Sequence, residues 1–191
     1  MSLHLEDYIL VVENALLPEE CDALLAEYAY CSDWADAMVV KQGGEADVDY
    51  GQRNCKIIGS SNVESISKNP NTRHKLDAAL FSASGKAIAA YVDKFKFCKI
   101  SQDSGYDLLK YECNEFFAEH VDIINQNNRV VSCSFLLNDG FEGGEFAFFG
   151  RSIKYSVPKG AALLFPSTFA YPHEIMPVTR GTRYSAITWF N

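Results

Sequence analysis

The chain has 191 residues, of which 48% are hydrophobic and 13% aromatic, so it can bury the core of one folded domain and is not a disordered segment. Its formal net charge of −8 predicts no general affinity for nucleic acid or for an anionic membrane surface. The N-terminal segment mixes acidic with apolar residues, so no secretory signal is expected, and no apolar run is long enough to span a bilayer.

The N-terminal half is predicted to be mainly helical. Residues 8–12 form a short apolar run typical of a strand, and a helix is expected to open at Pro18, because proline is tolerated in a first turn. The polar, glycine-bearing stretch 41–52 predicts an exposed loop, which is either a lid or an ordinary variable surface loop. Apolar residues at helical spacing over 72–97 predict the longest helix, packed on a sheet.

From about residue 106 the sequence changes to short apolar or alternating runs separated by turns that carry Gly, Asn, Asp or Pro. This pattern predicts a mainly β sandwich or barrel preceded by helices. No linker divides the chain, so we expect one domain over 1–191, with helix-rich support over about 1–105 and a β core over about 106–191. The six cysteines are scattered without a C-x-x-C pair, which favours a cytoplasmic protein over a disulfide framework. Four aromatic residues are expected in the core: Phe135, Phe148, Phe165 and Trp189.

A candidate metal site begins with His120 and Asp122, an H-x-D pair in a strand-like run. Alternate residues of a strand face the same side, so the imidazole and the carboxylate are expected to project together. A second imidazole would complete a facial triad that leaves positions open for iron(II) chemistry, and His173, late in the β region, is the natural choice. The alternative for the bare pair is a solvated His and Asp; His4 and His74 are expected at the surface.

A candidate anion anchor follows ten residues after His173, at Arg183. Pro177 and Gly181 bracket a turn, so we expect the strand of His173 to double back into the strand of Arg183. A guanidinium near the metal can hold a distal carboxylate in two hydrogen bonds while the other end of the ligand chelates the metal. Ser185 faces the same side and could assist; the alternative is an arginine exposed on an edge strand.

Residues 107–191 resemble the prolyl-hydroxylase-like branch of the 2-oxoglutarate/Fe(II)-dependent dioxygenases. The resemblance rests on Tyr111-x-x-Asn114-x-x-Phe117-x-x-His120-x-Asp122 and on the run from His173 through Pro177, Val178, Gly181 and Arg183 to Trp189. Between them lie a strand that starts at Arg129, a G-G-E segment and a P-x-G-A strand, in the order that the family shows: Arg129–Asn138, Gly143–Phe148 and Val157–Phe165.

The resemblance implies a double-stranded β-helix, or jelly roll, supported by N-terminal helices. It implies Fe(II) on His120, Asp122 and His173, with Arg183 holding the distal carboxylate of 2-oxoglutarate and Tyr111 assisting. It also implies O2 as the oxidant, release of succinate and CO2, and ascorbate as a reductant that restores oxidised iron. The first choice of substrate is a prolyl residue in a protein or peptide. The alternatives are another side chain, a free amino acid or a small metabolite.

Three positions depart from the family pattern. Asn114 replaces a glycine, but asparagine tolerates left-handed backbone, so the turn is expected to survive. Phe146 stands where prolyl hydroxylases often carry a threonine, and it cannot donate a hydrogen bond to 2-oxoglutarate, which Ser185 could supply instead. Phe117 stands where they often carry a tyrosine that approaches the substrate, and the loss of that hydroxyl weakens the expectation of a prolyl substrate. Arg129 and Arg53 are further candidate substrate contacts, together with Phe117. From other functional classes, a non-catalytic metal-binding jelly roll and a cupin-like isomerase or lyase remain open; the latter would not need an arginine anchor.

Overall fold

The computed structural model describes residues 4–41, 44–59, 70–123 and 128–191. The described residues of the N-terminal half include two α-helices: α1 Pro18–Tyr28 and α2 Pro70–Lys94. Helix α1 starts at the expected proline, while residues 8–12 divide between a 3-10 helix, Leu5–Tyr8, and a three-residue strand. Within the described residues, neither helix is apolar enough over a sufficient length to cross a membrane.

The strands of the N-terminal half are short: β1 Leu10–Val12, β2 Ala35–Asp36, β3 Val39–Val40, β4 Ala46–Asp47, β5 Arg53–Asn54 and β6 Lys56–Ile58. The strands of the C-terminal half follow one another closely: β7 Asp107–Tyr111, β8 Phe116–His120, β9 Val131–Leu136, β10 Glu142–Gly143, β11 Phe146–Phe148, β12 Ile153–Tyr155, β13 Ala162–Pro166, β14 His173–Ile175, β15 Val178–Arg180 and β16 Arg183–Phe190.

Two antiparallel sheets form the body of the protein. One has seven strands in the order β1-β13-β9-β16-β7-β6-β2, and the other has five in the order β12-β11-β14-β8-β5. Strands that are neighbours in sequence are mostly not neighbours in a sheet, as in a jelly roll. The predicted mainly β jelly roll with helical support is confirmed.

Strand periodicity sorts the apolar residues into two cores. On β7, Leu108 faces the helices, while Leu109 and Tyr111 face the five-stranded sheet. On β9, Val131, Cys133 and Phe135 pack toward the helices. Alternate residues of a strand point to opposite faces, so the seven-stranded sheet is buried on both sides. Helices α1 and α2 cover its outer face, and the aromatic core between the sheets includes Phe148 and Phe165.

The N-terminal half contributes more strands than the sequence suggested. Strands β1, β2 and β6 extend the seven-stranded sheet, and β5 extends the five-stranded one. The stretch 41–52 is not simply a loop, because β3 and β4 pair as a hairpin with Val39 opposite Asp47. The division of the single domain into a support and a catalytic core stays a prediction.

Candidate active site

Three side chains expected at a metal centre come together at one end of the five-stranded sheet. His120 ends β8 and lies directly opposite His173 on the adjacent strand β14, with 4.3 Å between ring centroids. Asp122 lies in a bend two residues beyond the end of β8, so strand alternation alone does not place it. The candidate ligand atoms of these three residues all lie within 4.8 Å of one another.

Backbone carbonyls orient both imidazoles in the same way. The Nδ1 of His120 lies 2.8 Å from the carbonyl oxygen of Ala118, and the Nδ1 of His173 lies 3.1 Å from that of Tyr171. A carbonyl oxygen only accepts hydrogen bonds, so Nδ1 carries the proton in each ring and Nε2 is left with a free lone pair. The two Nε2 atoms lie 3.5 and 3.7 Å from the carboxylate oxygens of Asp122.

The Asp122 carboxylate is buried and held by a serine. The Ser132 hydroxyl donates to its Oδ2 at 2.6 Å, and the Ser167 hydroxyl lies 2.8 Å from Ser132. Burial alone would raise the pKa of Asp122, but His173, His120 and the Ser132 hydrogen bond together lower it well below its usual range. Burial also lowers the pKa of His173 to about 4. At neutral pH the centre therefore presents a carboxylate at Asp122 and a neutral imidazole at His173.

Two imidazoles and one carboxylate suit a divalent iron with open coordination positions, whereas structural zinc is normally closed by four protein ligands. Among the described residues no fourth histidine, cysteine or carboxylate joins this group. His4 is exposed near the N-terminus, and the side chain of His74 lies outside the described residues. The donor set therefore fits Fe(II) and leaves room for further ligands.

Arg183 reaches the site from the other sheet. The expectation that its strand pairs with that of His173 is wrong, because β14 belongs to the five-stranded sheet and β16 to the seven-stranded sheet. Strand β15 lies between them in sequence and pairs with β10. Arg183 instead lies opposite Tyr111 in the β16–β7 pair. Where a hairpin was expected, the chain from β14 to β16 crosses from the five-stranded sheet to the seven-stranded sheet.

Arg183 is a buried cation with spare hydrogen-bond donors. Its side chain is 2% exposed, and its Nη1 donates to Ser185 Oγ at 2.9 Å. Its guanidinium carbon lies 5.4 Å from the ring centre of Tyr111 and 5.6 Å from that of Phe146. Among the described residues no carboxylate lies within 4 Å of it, and the buried Tyr111 hydroxyl has no hydrogen-bond partner. An unpaired buried charge is strongly unfavourable, so the surroundings of Arg183 suit an anionic ligand.

The turn between β7 and β8 adopts the expected backbone conformation. Asn114 has φ of +68°, in the left-handed region that asparagine tolerates. Its N–H donates to the carbonyl of Val178 at 2.8 Å, and the Val178 N–H donates to the carbonyl of Glu115 at 3.1 Å. The turn thus joins the β7–β8 corner, which carries Tyr111 and leads to His120, to strand β15.

One cavity of about 430 Å³ contains the metal centre and the arginine anchor. Four alternate residues of β16 line it: Arg183, Ser185, Ile187 and Trp189. The expectation that Trp189 belongs to the core is therefore wrong. The alternation that places Arg183 and Ser185 on one face of β16 also places Trp189 there, so the sequence pattern is sufficient to predict that Trp189 lines the cavity.

Phe117 and Arg53 lie beside the metal centre on the five-stranded sheet. The Phe117 ring stacks on that of His120, with 3.5 Å between centroids and 14° between planes. Residues three apart on a regular strand face opposite sides, but the β14–β8 register shifts between His173 and Ile175 and brings these two rings together. The guanidinium carbon of Arg53 lies 4.5 Å from the centre of the Phe117 ring.

Arg129 lies on the opposite side of the cavity, over Trp189. Its guanidinium carbon is 3.5 Å from the Trp189 ring centre, and its Nη1 donates to the backbone carbonyl of Asp122 at 3.1 Å. The inter-strand ion pair considered as its alternative role is not formed with any described residue. The cavity also includes residues that the sequence did not indicate, among them Met38, Asp107 and Ser134.

Comparison with known proteins agrees with this geometry. Residues 106–191 match the family model of the 2OG-Fe(II) oxygenase superfamily. This part of the chain is therefore similar to that superfamily. The match agrees with the predicted family and enzyme class, and a His/Asp/His site in this superfamily implies Fe(II) and 2-oxoglutarate.

Individual relatives are more distant. A PKHD-type hydroxylase of Picosynechococcus sp. is 34% identical over 79 residues, which are 38% of this chain and 35% of the relative. The match thus spans about a third of that relative's length. A prolyl-4-hydroxylase of Pseudomonas putida superimposes with a TM-score of 0.67 at 22% identity, covering 96% of this chain and 92% of the other. A Trichoplax adhaerens prolyl hydroxylase, solved with a hypoxia inducible factor peptide fragment, gives 0.71 at 18%, covering 95% and 82%. These structures establish the shared fold.

Proposed function

We propose that this protein is a 2-oxoglutarate- and Fe(II)-dependent dioxygenase that hydroxylates an aliphatic C–H bond and releases succinate and CO2. The observation that carries the proposal is the buried Arg183, which has spare donors in the same cavity as the two-histidine, one-carboxylate centre. A cupin-like isomerase or lyase would have no use for a cation buried at that position. Iron(II), when bound, would supply the activation of O2 and the decarboxylation of the 2-oxo acid.

The chain's own residues bind and orient the reactants. His120, Asp122 and His173 would hold the metal on one face and leave the other open to the 2-oxo acid and O2. Arg183 would hold the distal carboxylate in charge-assisted hydrogen bonds, with the Tyr111 hydroxyl as a further donor. Ser185, whose hydroxyl oxygen accepts from Arg183, fixes the orientation of the guanidinium.

The aromatic walls of the cavity shield the reaction from water. Phe146 packs on Arg183 and on His173. A dry cavity strengthens each ionic contact and limits side reactions. Phe146 cannot donate the hydrogen bond that a threonine would give, so the contacts with the distal carboxylate of the co-substrate are assigned to Arg183, Tyr111 and Ser185.

A prolyl residue in a protein or peptide remains the first candidate substrate. Support comes from the fold shared with prolyl hydroxylases, one of which was solved with a peptide fragment. A non-prolyl residue, a free amino acid or a small metabolite is the alternative, because Phe117 lacks a hydroxyl and its ring is stacked on His120. Ascorbate as a reductant and a cytoplasmic location belong to the same proposal, the latter supported by the scattered cysteines.

Anaerobic titration of the iron(II)-loaded protein with 2-oxoglutarate tests the proposal. A visible charge-transfer band of the iron-bound 2-oxo acid is expected in the wild type, lost in His173→Ala and shifted to higher 2-oxoglutarate concentration in Arg183→Ala. Arg180→Ala is the matched control, because Arg180 is exposed and paired with Glu142 at 2.5 Å. Absence of the band in folded, iron-loaded wild type would favour a non-catalytic metal-binding module or a cupin-like isomerase or lyase. Binding of both ligands without any succinate formation would favour the non-catalytic module.

A further inference from the structure

Two further arginines line the cavity beyond those needed for 2-oxoglutarate. Arg53 stacks on Phe117 from the five-stranded sheet, and Arg129 stacks on Trp189 at the seven-stranded sheet. Both side chains face the same cavity as the metal centre. Among the described residues, neither guanidinium lies within 4 Å of a carboxylate, whereas the exposed Arg151 and Arg180 each have such a partner.

Each of these guanidinium groups keeps spare donors. An arginine has five N–H donors, and the structure shows one hydrogen bond from each: Arg53 Nη1 to the Met38 carbonyl at 3.1 Å, and Arg129 Nη1 to the Asp122 carbonyl at 3.1 Å. The Nε of Arg53 is buried without a partner, and so is the indole Nε1 of Trp189. Unpaired buried donors are unfavourable, so a structural role in stacking alone does not explain them.

Two carboxylates act on these arginines from a distance. Burial lowers the pKa of Arg129, and the fields of Asp122 and Asp107 oppose that effect. The field of Asp107 acts in the same sense on Arg53. Within the described part of the chain, neither carboxylate lies within 4 Å of these two guanidinium groups, and Asp122 belongs to the metal centre. At the exposed rim Lys41 is already paired with Asp47 at 2.6 Å. A carboxylate on a bound molecule would therefore give Arg53 and Arg129 the direct ion pair that no described residue gives them.

We propose that the substrate presents a carboxylate to Arg53 and Arg129, with its apolar part between the Phe117 and Trp189 rings. The inference rests on the proposed function and narrows its substrate class. It favours a free amino acid or the carboxyl-terminal residue of a peptide over a residue inside a chain, whose carbonyl is an amide without charge. Guanidinium groups bind carboxylates through charge-assisted, often bidentate hydrogen bonds. Stacking on an aromatic ring fixes the orientation of the planar guanidinium group.

The test compares matched forms of one amino acid at a time. L-proline, N-acetyl-L-proline and N-acetyl-L-prolinamide represent a free amino acid, a chain end and an internal residue, and other amino acids are taken through the same three forms. Binding to the protein loaded anaerobically with iron(II) and 2-oxoglutarate is measured by calorimetry. For the amino acid that binds best, we expect the acid forms to bind at least about tenfold more tightly than the amide, which is about 1.4 kcal/mol. The two acid forms distinguish a free amino acid from a chain end.

Variants assign the preference to the two arginines. Arg53→Gln and Arg129→Gln should each weaken binding of the acid about tenfold or more and leave the amide unchanged, while Arg180→Gln changes neither. Arg53→Lys and Arg129→Lys keep the charge and should retain part of the preference, which separates loss of charge from loss of packing. Amides that bind as tightly as acids, acids that do not bind in any series, or Gln variants with wild-type preference would each overturn the inference. The 2-oxoglutarate titration is independent of these results, so failure here is distinguishable from failure of the proposed function.

Discussion

Replacing Ser132 with alanine should weaken metal binding although Ser132 is not itself a ligand. The Ser132 side chain is fully buried, and its hydroxyl donates to Asp122 Oδ2 at 2.6 Å. A hydrogen bond to a charged group contributes about 1.5–3 kcal/mol. Groups that orient metal ligands typically change metal affinity by about 10–100-fold when they are removed. We therefore expect the iron(II) dissociation constant of Ser132→Ala to rise about 10–100-fold.

The serine pair provides its own graded control. Ser132 has one hydroxyl proton and gives it to Asp122, so Ser167 must donate to the Ser132 oxygen. Ser167→Ala removes that second contact and leaves the first, so its effect on metal affinity should be smaller. Ser134→Ala changes the next residue on the same face of β9, which lines the cavity, and should have no effect on metal affinity.

Metal affinity is measured anaerobically by competition with a fluorescent chelator, and the stability of the metal-free protein by urea denaturation. The Asp122 charge is held in the folded protein without metal, so Ser132→Ala should also lower the free energy of unfolding of the metal-free form by about 1.5–3 kcal/mol. A dissociation constant within twofold of wild type, or an equal loss in Ser134→Ala, would refute the assignment of Ser132 as the residue that positions Asp122.

Two further predictions concern the anchor and the pH response. Gly144 has φ of +68°, and a Cβ there would lie 2.8 Å from Arg183 Cδ and 3.1 Å from Val178 Cγ2, so Gly144→Ala should weaken 2-oxoglutarate binding with iron affinity unchanged. Calorimetry with 2-oxoglutarate checks this, and unchanged affinity would contradict it. His173 stays neutral in the folded protein down to about pH 4, whereas an unfolded histidine takes up its proton near pH 6.5. The unfolded state thus binds more protons between these values. The unfolding free energy of the metal-free protein should therefore decrease as the pH is lowered through that window, by up to about 1.36 kcal/mol per pH unit. The lowered pKa of Asp122 acts in the same direction at lower pH. Urea denaturation between pH 7 and 4.5 measures the slope, and a flat or inverted slope would contradict the prediction.

Local patterns in the sequence are sufficient to predict which residues share one face of a strand. The alternation that places Arg183 and Ser185 on one side of a strand holds along β16 to Trp189, because the side-chain period of a strand is two whatever its neighbours are. The left-handed conformation of Asn114 was likewise expected, since it depends on the residue and its turn.

Features that depend on which strands pair, and in what register, could not be predicted from the sequence. The contact between Phe117 and His120 exists only because the β14–β8 register shifts, and a register shift depends on which strands pair. The roles of Ser132 and Ser167 could not be predicted for the same reason. Neither serine belongs to a motif, and their hydroxyl groups meet because β9 pairs with β13. Asp122 lies beyond the strand that the H-x-D spacing suggested, and a bend rather than the pleat aims its carboxylate.

His173 and Arg183 do not share the hairpin that the sequence predicts, because β14 and β16 belong to different sheets. In a hairpin, backbone hydrogen bonds would fix the distance from metal to anchor. Because the two residues lie on different sheets, that distance depends on how the sheets pack, through a core in which Phe146 contacts Phe148 and Phe165. Packed cores resist changes in volume, so these aromatic side chains hold the two ends of the site apart. The distance between the metal ligands and Arg183, which would set the length of the 2-oxo diacid that the proposed site accepts, is therefore determined by residues that need not touch the ligand. The substrate position proposed between Phe117 and Trp189 depends on the same spacing.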